Sequence, residues 1–168
     1  MNKTATRSYP DLVAAILADE PGAFEELVEK SHRLVRKIAL PLLPDWAVDD
    51  AVQETYLLVF RKIHLLRDRS SFTSWISRIA LNVCYQWQRK KPDTTELKPE
   101  HAQENVDTTR VDVRRALARL PAIEREVLIL REFIGLSYEE ISRVVNAPLG
   151  TVKSRLAKAR GRIKELLK

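Results

Sequence analysis

A chain of 168 residues, 45 % apolar and 31 % charged, is long enough for one packed domain or two small ones. Its formal net charge of +6 and pI of about 9.6 favour a polyanionic partner, either nucleic acid or an acidic membrane surface. The single cysteine, Cys84, excludes an intramolecular disulfide framework. No signal-peptide core and no run of roughly 20 apolar residues occurs, so a soluble cytoplasmic protein is expected.

Helical periodicity runs through most of the chain and strand alternation does not, so an all-α fold is expected. Leu12 to Leu17 reads as a short apolar helix. Asp19-Glu20-Pro21-Gly22 opens a longer one carrying Phe24, Leu27, Val28, Leu34, Val35 and Ile38, which Pro41 and Pro44 end. Asp45 is placed to cap a third helix reaching about Ile63. His64 to Ser71 reads as a loop, and Phe72 to about Lys90 as a fourth helix.

Lys91 to Thr109 holds two prolines, Pro92 and Pro99, and few large apolar side chains. It reads as a flexible linker, acidic through Asp93, Glu96, Glu100, Glu104 and Asp107. Thr109-x-x-Asp112 has the capping-box pattern and opens a helix to Leu120, broken by Pro121. A helix from Ala122 to Phe133 stops at Gly135, and Ser137-x-x-Glu140 is a second capping box for a short helix through Val145. Asn146-Ala147-Pro148 is a turn, and a last helix runs from about Gly150 to Leu167.

The short helix, tight turn and longer basic helix spell a helix-turn-helix. On the last helix Val152, Leu156, Ala159, Ile163 and Leu166 form one apolar stripe. Ser154, Ala157, Lys158 and Gly161 lie opposite, three of them small enough to let a helix approach base edges. Lys153, Arg155 and Arg160 flank that face, within reach of phosphates or guanines. An amphipathic helix with a solvated basic face would give the same pattern; the capped helix and turn before it favour DNA recognition.

On the third helix Val48, Val52, Tyr56, Val59 and Ile63 make a core stripe, and Asp49, Asp50, Gln53, Glu54 and Leu57 lie opposite. That acidic face suits a basic protein surface and repels DNA, although it also fits an ordinary solvated face. On the fourth helix Phe72, Ile76, Ile79, Ala80, Val83 and Trp87 make the core face. Trp75, Arg78, Asn82 and Arg89 form another stripe, suited to nucleic acid or, equally, to a core tryptophan beside solvated arginines. His32, His64 and His101 are scattered without metal-ligand spacing, Cys84 reads as packed, and no glycine-rich phosphate loop occurs. No enzyme, cofactor or metal is therefore expected. A stand-alone helix-turn-helix regulator would account for the C-terminal half but not for the acidic face followed by the aromatic-basic helix; an RNA-binding module is permitted by the basic helices, but no known RNA-binding motif occurs.

The succession DDAVQETYLLVFRKI, SFTSWISRIALNVCYQWQRKK and LARLPAIEREVLILREFIGLSYEEISRVVNAPLGTVKSRLAKAR resembles the extracytoplasmic-function (ECF) sigma factors of bacterial RNA polymerase over nearly the whole chain. The resemblance implies a region 2-like domain over 1–91, a linker over 92–109 and a region 4-like domain over 110–168. It implies that Asp49, Asp50, Gln53, Glu54 and Leu57 bind RNA polymerase core. Arg67, Arg69, Ser70, Ser71, Trp75, Arg78 and Asn82 would recognise and open the −10 element of promoter DNA, with a base flipped into a loop pocket. Thr151, Lys153, Ser154, Arg155, Ala157, Lys158 and Arg160 would read the −35 element. An anti-sigma factor, an envelope or stress response, and no membrane contact except through that anti-sigma factor are also implied. The loop LLRDRSSF lacks the glycine that the family often carries before Ser-Phe.

Overall fold

A computed structural model describes residues 7–90 and 108–167, with the side chains of 108–111 left aside. Among the described residues all regular structure is helical. Helix α1 (Tyr9–Leu17) starts three residues before the apolar run because Ser8 caps it, its side chain accepting from the Asp11 amide, and Pro10 fits the first turn. Helix α2 (Ala23–Ala39) follows Gly22, whose φ of 80° is the left-handed turn between the two helices. Glu25 and Glu26 in its first turn and Arg36 and Lys37 in its last complement the helix dipole.

Helix α3 (Asp45–Lys62) departs from expectation at its start. Pro44 occupies the cap position and Asp45 is the first helical residue, making no side-chain cap bond. Its carboxylate turns outward to Arg114, 2.7 Å away. The expected loop after α3 is two short 3₁₀ turns, Ile63–Leu65 and Arg69–Ser71, which lead into α4 (Phe72–Lys90).

The linker expected over 92–109 lies outside the described residues except for its last two positions, and those are helical. Helix α5 (Thr108–Ala118) starts at Thr108, so Thr109 sits within it and does not cap it. The helix expected over Ala122–Phe133 is α-helical only in α6 (Ala122–Leu128) and then π-helical over Ile129–Ile134. Val127, Leu128, Ile129 and Leu130 are all buried in succession, more than one α-helical face can carry. The segment is enclosed, with α2, α7 and α8 around it. Gly135 ends it at φ 82°, and the Leu136 amide closes back on the Leu130 carbonyl at 3.1 Å.

Helix α7 (Tyr138–Val145) carries both halves of the expected capping box: Ser137 accepts from the Glu140 amide and Glu140 accepts from the Ser137 amide. Asn146, at φ 49°, turns the chain into α8 (Leu149–Leu166).

The two halves share one apolar core. Residues from Leu12 to Cys84 and from Leu117 to Ala159 belong to a single buried cluster. Helix α4 packs against α2 and α3 on one side and α7 on another, and α2 also meets the π-helical segment. The buried arc of α4 is accordingly wider than the expected core face: Ser74, Ser77, Leu81 and Cys84 are buried as well. Trp87, expected in the core, is only half-buried. Cys84 is packed as expected, and burial pushes its thiol up to about 12.

A buried polar chain ties α2 to α3. The Ser31 hydroxyl donates to the Leu27 carbonyl (2.7 Å), leaving the Tyr56 hydroxyl to donate to Ser31 (2.8 Å). Burial holds the Tyr56 phenol up at about 12, from the ordinary 10.0. Its folded value is raised, so its contribution is complete below pH 10 and is lost as pH rises towards 12. Tyr56→Phe is expected to cost about 1 kcal/mol at pH 7. It should also flatten the loss of stability between pH 10 and 12, both read by urea denaturation across pH.

Candidate nucleic-acid interface

Three exposed faces remain once the core is filled. The first is on α3. Asp49, Asp50, Gln53 and Leu57 are solvent-exposed there, and Leu57 is 59 % exposed despite its apolar side chain. Phe60, one turn further, extends the apolar patch at 63 % exposed. The acids are not all free: Asp49 pairs with Arg36 across the α2–α3 groove. Glu54 is drawn off the face, its carboxylate accepting from the Trp87 indole N–H at 2.7 Å. Trp87 in turn lies against Trp46, ring centres 6.4 Å apart. Glu54 therefore joins α3 to α4, a tie that periodicity did not reveal because the two residues lie on different helices.

The second face is the loop and outer stripe of α4. Arg67, Arg69 and Ser70 are exposed and Ser71 is half-buried. The loop is shaped by a residue that was not singled out in the sequence. The Asp68 carboxylate caps the second 3₁₀ turn, accepting from the Ser70 amide (3.0 Å) and the Ser70 hydroxyl (2.6 Å). The Ser71 hydroxyl donates to the Asp68 carbonyl at 2.7 Å. These bonds hold the Asp68 carboxyl below its usual range, the Ser70 hydroxyl contributing most. An Asx turn of this kind needs no glycine, so the missing glycine in LLRDRSSF has a local substitute. Beyond the loop, Arg78, Asn82 and Arg89 are exposed in one stripe. Trp75 is half-buried, its ring 6.1 Å from Phe72, so it is neither fully core nor fully surface.

The third face is α8. Val152, Leu156 and Ala159 are buried, while Lys153, Ser154, Ala157, Lys158, Arg160 and Gly161 are exposed and Thr151 and Arg155 are half-buried. The Ser154 hydroxyl donates to the Thr151 carbonyl at 3.0 Å, which leaves its oxygen outward as an acceptor. Arg160 is held by Glu132 through two bonds, Nε at 3.0 Å and Nη2 at 2.7 Å. Arg162 pairs with Glu124 at 3.1 Å. Lys153 and Lys158 are exposed and stand outside these pairs, the uncompensated charge of the face among the described residues.

Glu126, on α6, is set among charges from both halves. Burial raises its carboxyl above the usual range, while Arg155 of α8 and Arg78 of α4 act in the opposite direction. Tyr85 of α4 lies beside Glu126 and Arg125, and burial pushes its phenol up to about 12.

A capped helix, a left-handed turn and a basic helix with a small-residue face, joined to a bundle with separate acidic and aromatic-basic faces, define a two-part helix-turn-helix transcription factor. The family model for sigma-70 region 2 matches residues 27–92, and that for sigma-70 region 4 matches 110–163. The chain is 32 % identical to the ECF RNA polymerase sigma factor SigM of Mycobacterium tuberculosis, over 96 % of this chain and 85 % of that one. It is 30 % identical to the ECF RNA polymerase sigma-E factor of Escherichia coli K12, over 89 % and 88 %. Its fold is that of CnrH bound to the cytosolic domain of CnrY, with a TM-score of 0.79 at 24 % identity over 95 % and 96 % of the chains. The sigma factor RpoE bound to the anti-sigma factor NepR from Bartonella quintana matches with a TM-score of 0.71 at 26 % identity, over 87 % and 97 %. The chain belongs to the ECF sigma factors of bacterial RNA polymerase, transcription-initiation factors that give the polymerase its promoter specificity.

If the indole–carboxylate bond joins α3 to α4 as described, a double-mutant cycle on Trp87→Phe and Glu54→Gln should return a coupling of about 1 kcal/mol. Additive effects in urea denaturation would show that the bond is not formed in solution.

Proposed function

We propose that this sigma factor, acting in the cytoplasm, divides its work among the three faces. Residues 1–91 form the unit that holds RNA polymerase core and the −10 element, 92–109 the connector, and 110–168 the unit that reads the −35 element. The observation that carries the reading is the segregation of exposed charge. The outward face of α3 presents Asp49 and Asp50 beside Gln53 and Leu57, while the outward stripe of α4 presents Arg78 and Arg89 and that of α8 presents Lys153 and Lys158.

Asp49, Asp50, Gln53 and Leu57 supply an acidic, partly apolar dock for a basic helical surface of the polymerase. Glu54 contributes by bracing that helix against Trp87. Arg67, Arg69, Ser70, Ser71, Trp75, Arg78 and Asn82 line the loop and stripe for opened −10 DNA. There a half-exposed indole can stack on an unpaired base. Opening duplex costs about 1.4 kcal/mol per step, which base–aromatic stacking of about 1–3 kcal/mol offsets. Lys153, Ser154, Arg155, Ala157 and Lys158 enter the major groove, with Thr151 and Arg160 at its edges. RpoE of Bartonella quintana is bound by an anti-sigma factor, and we assign the same kind of regulator to this chain, in control of an envelope or stress response.

Run-off transcription with purified core polymerase and a genomic fragment library tests the whole reading. Specific start sites that depend on the added chain are expected, and an unchanged transcript pattern would overturn it. Lys158→Ala is expected to weaken binding to the promoters so identified. It should also lower the slope of log affinity against log salt by about 1. Reversal of Asp49 and Asp50 to lysine is expected to abolish recovery on core polymerase with helicity unchanged by circular dichroism; normal recovery would remove these acids from the dock.

A further inference from the structure

Charge on the outward face of α3 is sorted by sign along the helix. Asp49 and Asp50 stand in its first half and Arg61 in its last turn, with Leu57 and Phe60 exposed between them. Asp50 and Arg61 are separated by three turns and about 20°, so they lie almost in line, about 16 Å apart. Leu57 stands two turns less about 20° from Asp50 and falls in the same strip. Asp49 is already engaged by Arg36. Asp50 and Arg61 are both exposed and make no ion pair among the described residues. At their separation they cannot pair with each other within one chain.

A face that is acidic at one end, apolar in the middle and basic at the other is complementary to itself run antiparallel. A two-fold axis opposite the midpoint between Asp50 and Arg61 brings Asp50 of each copy to Arg61 of the other, at both ends at once. That axis passes about 2 Å along the helix from Leu57, so the two Leu57 side chains meet at the centre and each Phe60 flanks them. A shallow crossing of about 20° keeps both ends within reach. A parallel arrangement would set acid against acid and base against base. The apolar centre is also ordered in advance, since Phe60 sits edge-on against Phe24 of α2 with ring centres 5.1 Å apart. The contact is small, below the roughly 1,200 Å² of a standard interface, so a dissociation constant on the order of 10–100 µM is expected.

We propose that free copies of this chain pair through antiparallel α3 helices, joined by reciprocal Asp50–Arg61 ion pairs around Leu57 and Phe60. The consequence rests on the assignment of α3 as the polymerase dock: the pair covers Asp50 and Leu57, so core polymerase and a second copy compete for one face. Surplus chain is then held as pairs, and polymerase draws on the monomers.

Sedimentation velocity of the full chain between about 1 and 300 µM tests the pairing. The wild type should pass from monomer to dimer across that range. Asp50→Lys and Arg61→Glu should each stay monomeric with helicity unchanged by circular dichroism, because each sets like charges together at both ends. Their dissociation constants should rise by at least about tenfold. An equimolar mixture of the two variants should associate again, since both ends of the mixed pair join opposite charges. The competition is read on immobilised core polymerase. Between about 1 and 100 µM the association rate of Arg61→Glu should rise in proportion to concentration, while that of the wild type should fall short by about twofold to fivefold. A wild type that is monomeric throughout, a dimer that survives both substitutions, or a mixture that stays monomeric overturns the pairing. Proportional association by a wild type that does dimerise overturns the competition. Failure of the wild type to bind core overturns the α3 assignment instead, while sedimentation still decides the pairing.

Discussion

Helix α4 advances 100° per residue, and that fixed rotation divides its circumference into arcs around which the molecule is arranged. Phe72, Ile76 and Val83 fill the bundle; Ser74, Ser77, Leu81 and Cys84 widen the buried arc; Trp75, Arg78, Asn82 and Arg89 stay outside it. Each buried aliphatic or aromatic side chain contributes about 1.5–3 kcal/mol, so the rotational setting of α4 is held by many such increments. The exposed stripe inherits that rigidity. A nucleic-acid surface built there needs no ordering of its own, because the opposite side of the same helix has already fixed it.

The charges follow a different logic. Arg36 with Asp49, Arg114 with Asp45, Arg160 with Glu132 and Arg162 with Glu124 are mostly surface pairs. Exposed pairs of this kind contribute about 0–1 kcal/mol each, too little to define the fold. On the proposed reading they occupy groups that a larger partner would claim. Arg160, paired with Glu132, is partly neutralised. Among the described residues Lys153 and Lys158 have no such companion, so on the proposed reading they carry the long-range attraction. A DNA-reading face with every arginine unpaired would bind any polyanion, and internal carboxylates temper that.

How much could be read beforehand depended on whether the cause was local. The capping box at Ser137, the stop at Gly135 and the packed Cys84 are short-range consequences of residue type, and they stand in the structure as the sequence implies. The Pro44 cap, the π-helical segment and the width of the buried arc on α4 are not local. Asp45 stands one residue inside the helix, and its carboxylate accepts instead from Arg114, 69 positions away, which no window around Asp45 contains. Val127 to Leu130 look like a helix with too many apolar residues until α2 is brought alongside. Glu54 is similar: its spacing puts it with Asp50 and Gln53, but Trp87 draws it towards α4. Asp68 is a local case of another kind: an aspartate two residues before Ser70 is a turn-former by residue type, and it caps the second 3₁₀ turn.

Covalent connection decides how strong an interface between the halves has to be. Two parts on one chain meet at an effective concentration of about millimolar order, so even modest burial holds them together. The seam here is apolar: α4 packs against α7 and α2 against the π-helical segment, within one buried cluster. Arg114 bridges the Leu40 carbonyl and the exposed Asp45 carboxylate at the rim of that seam. A rim pair of this kind adds about 0–1 kcal/mol, so burial, and not the pair, sets how firmly the halves hold together.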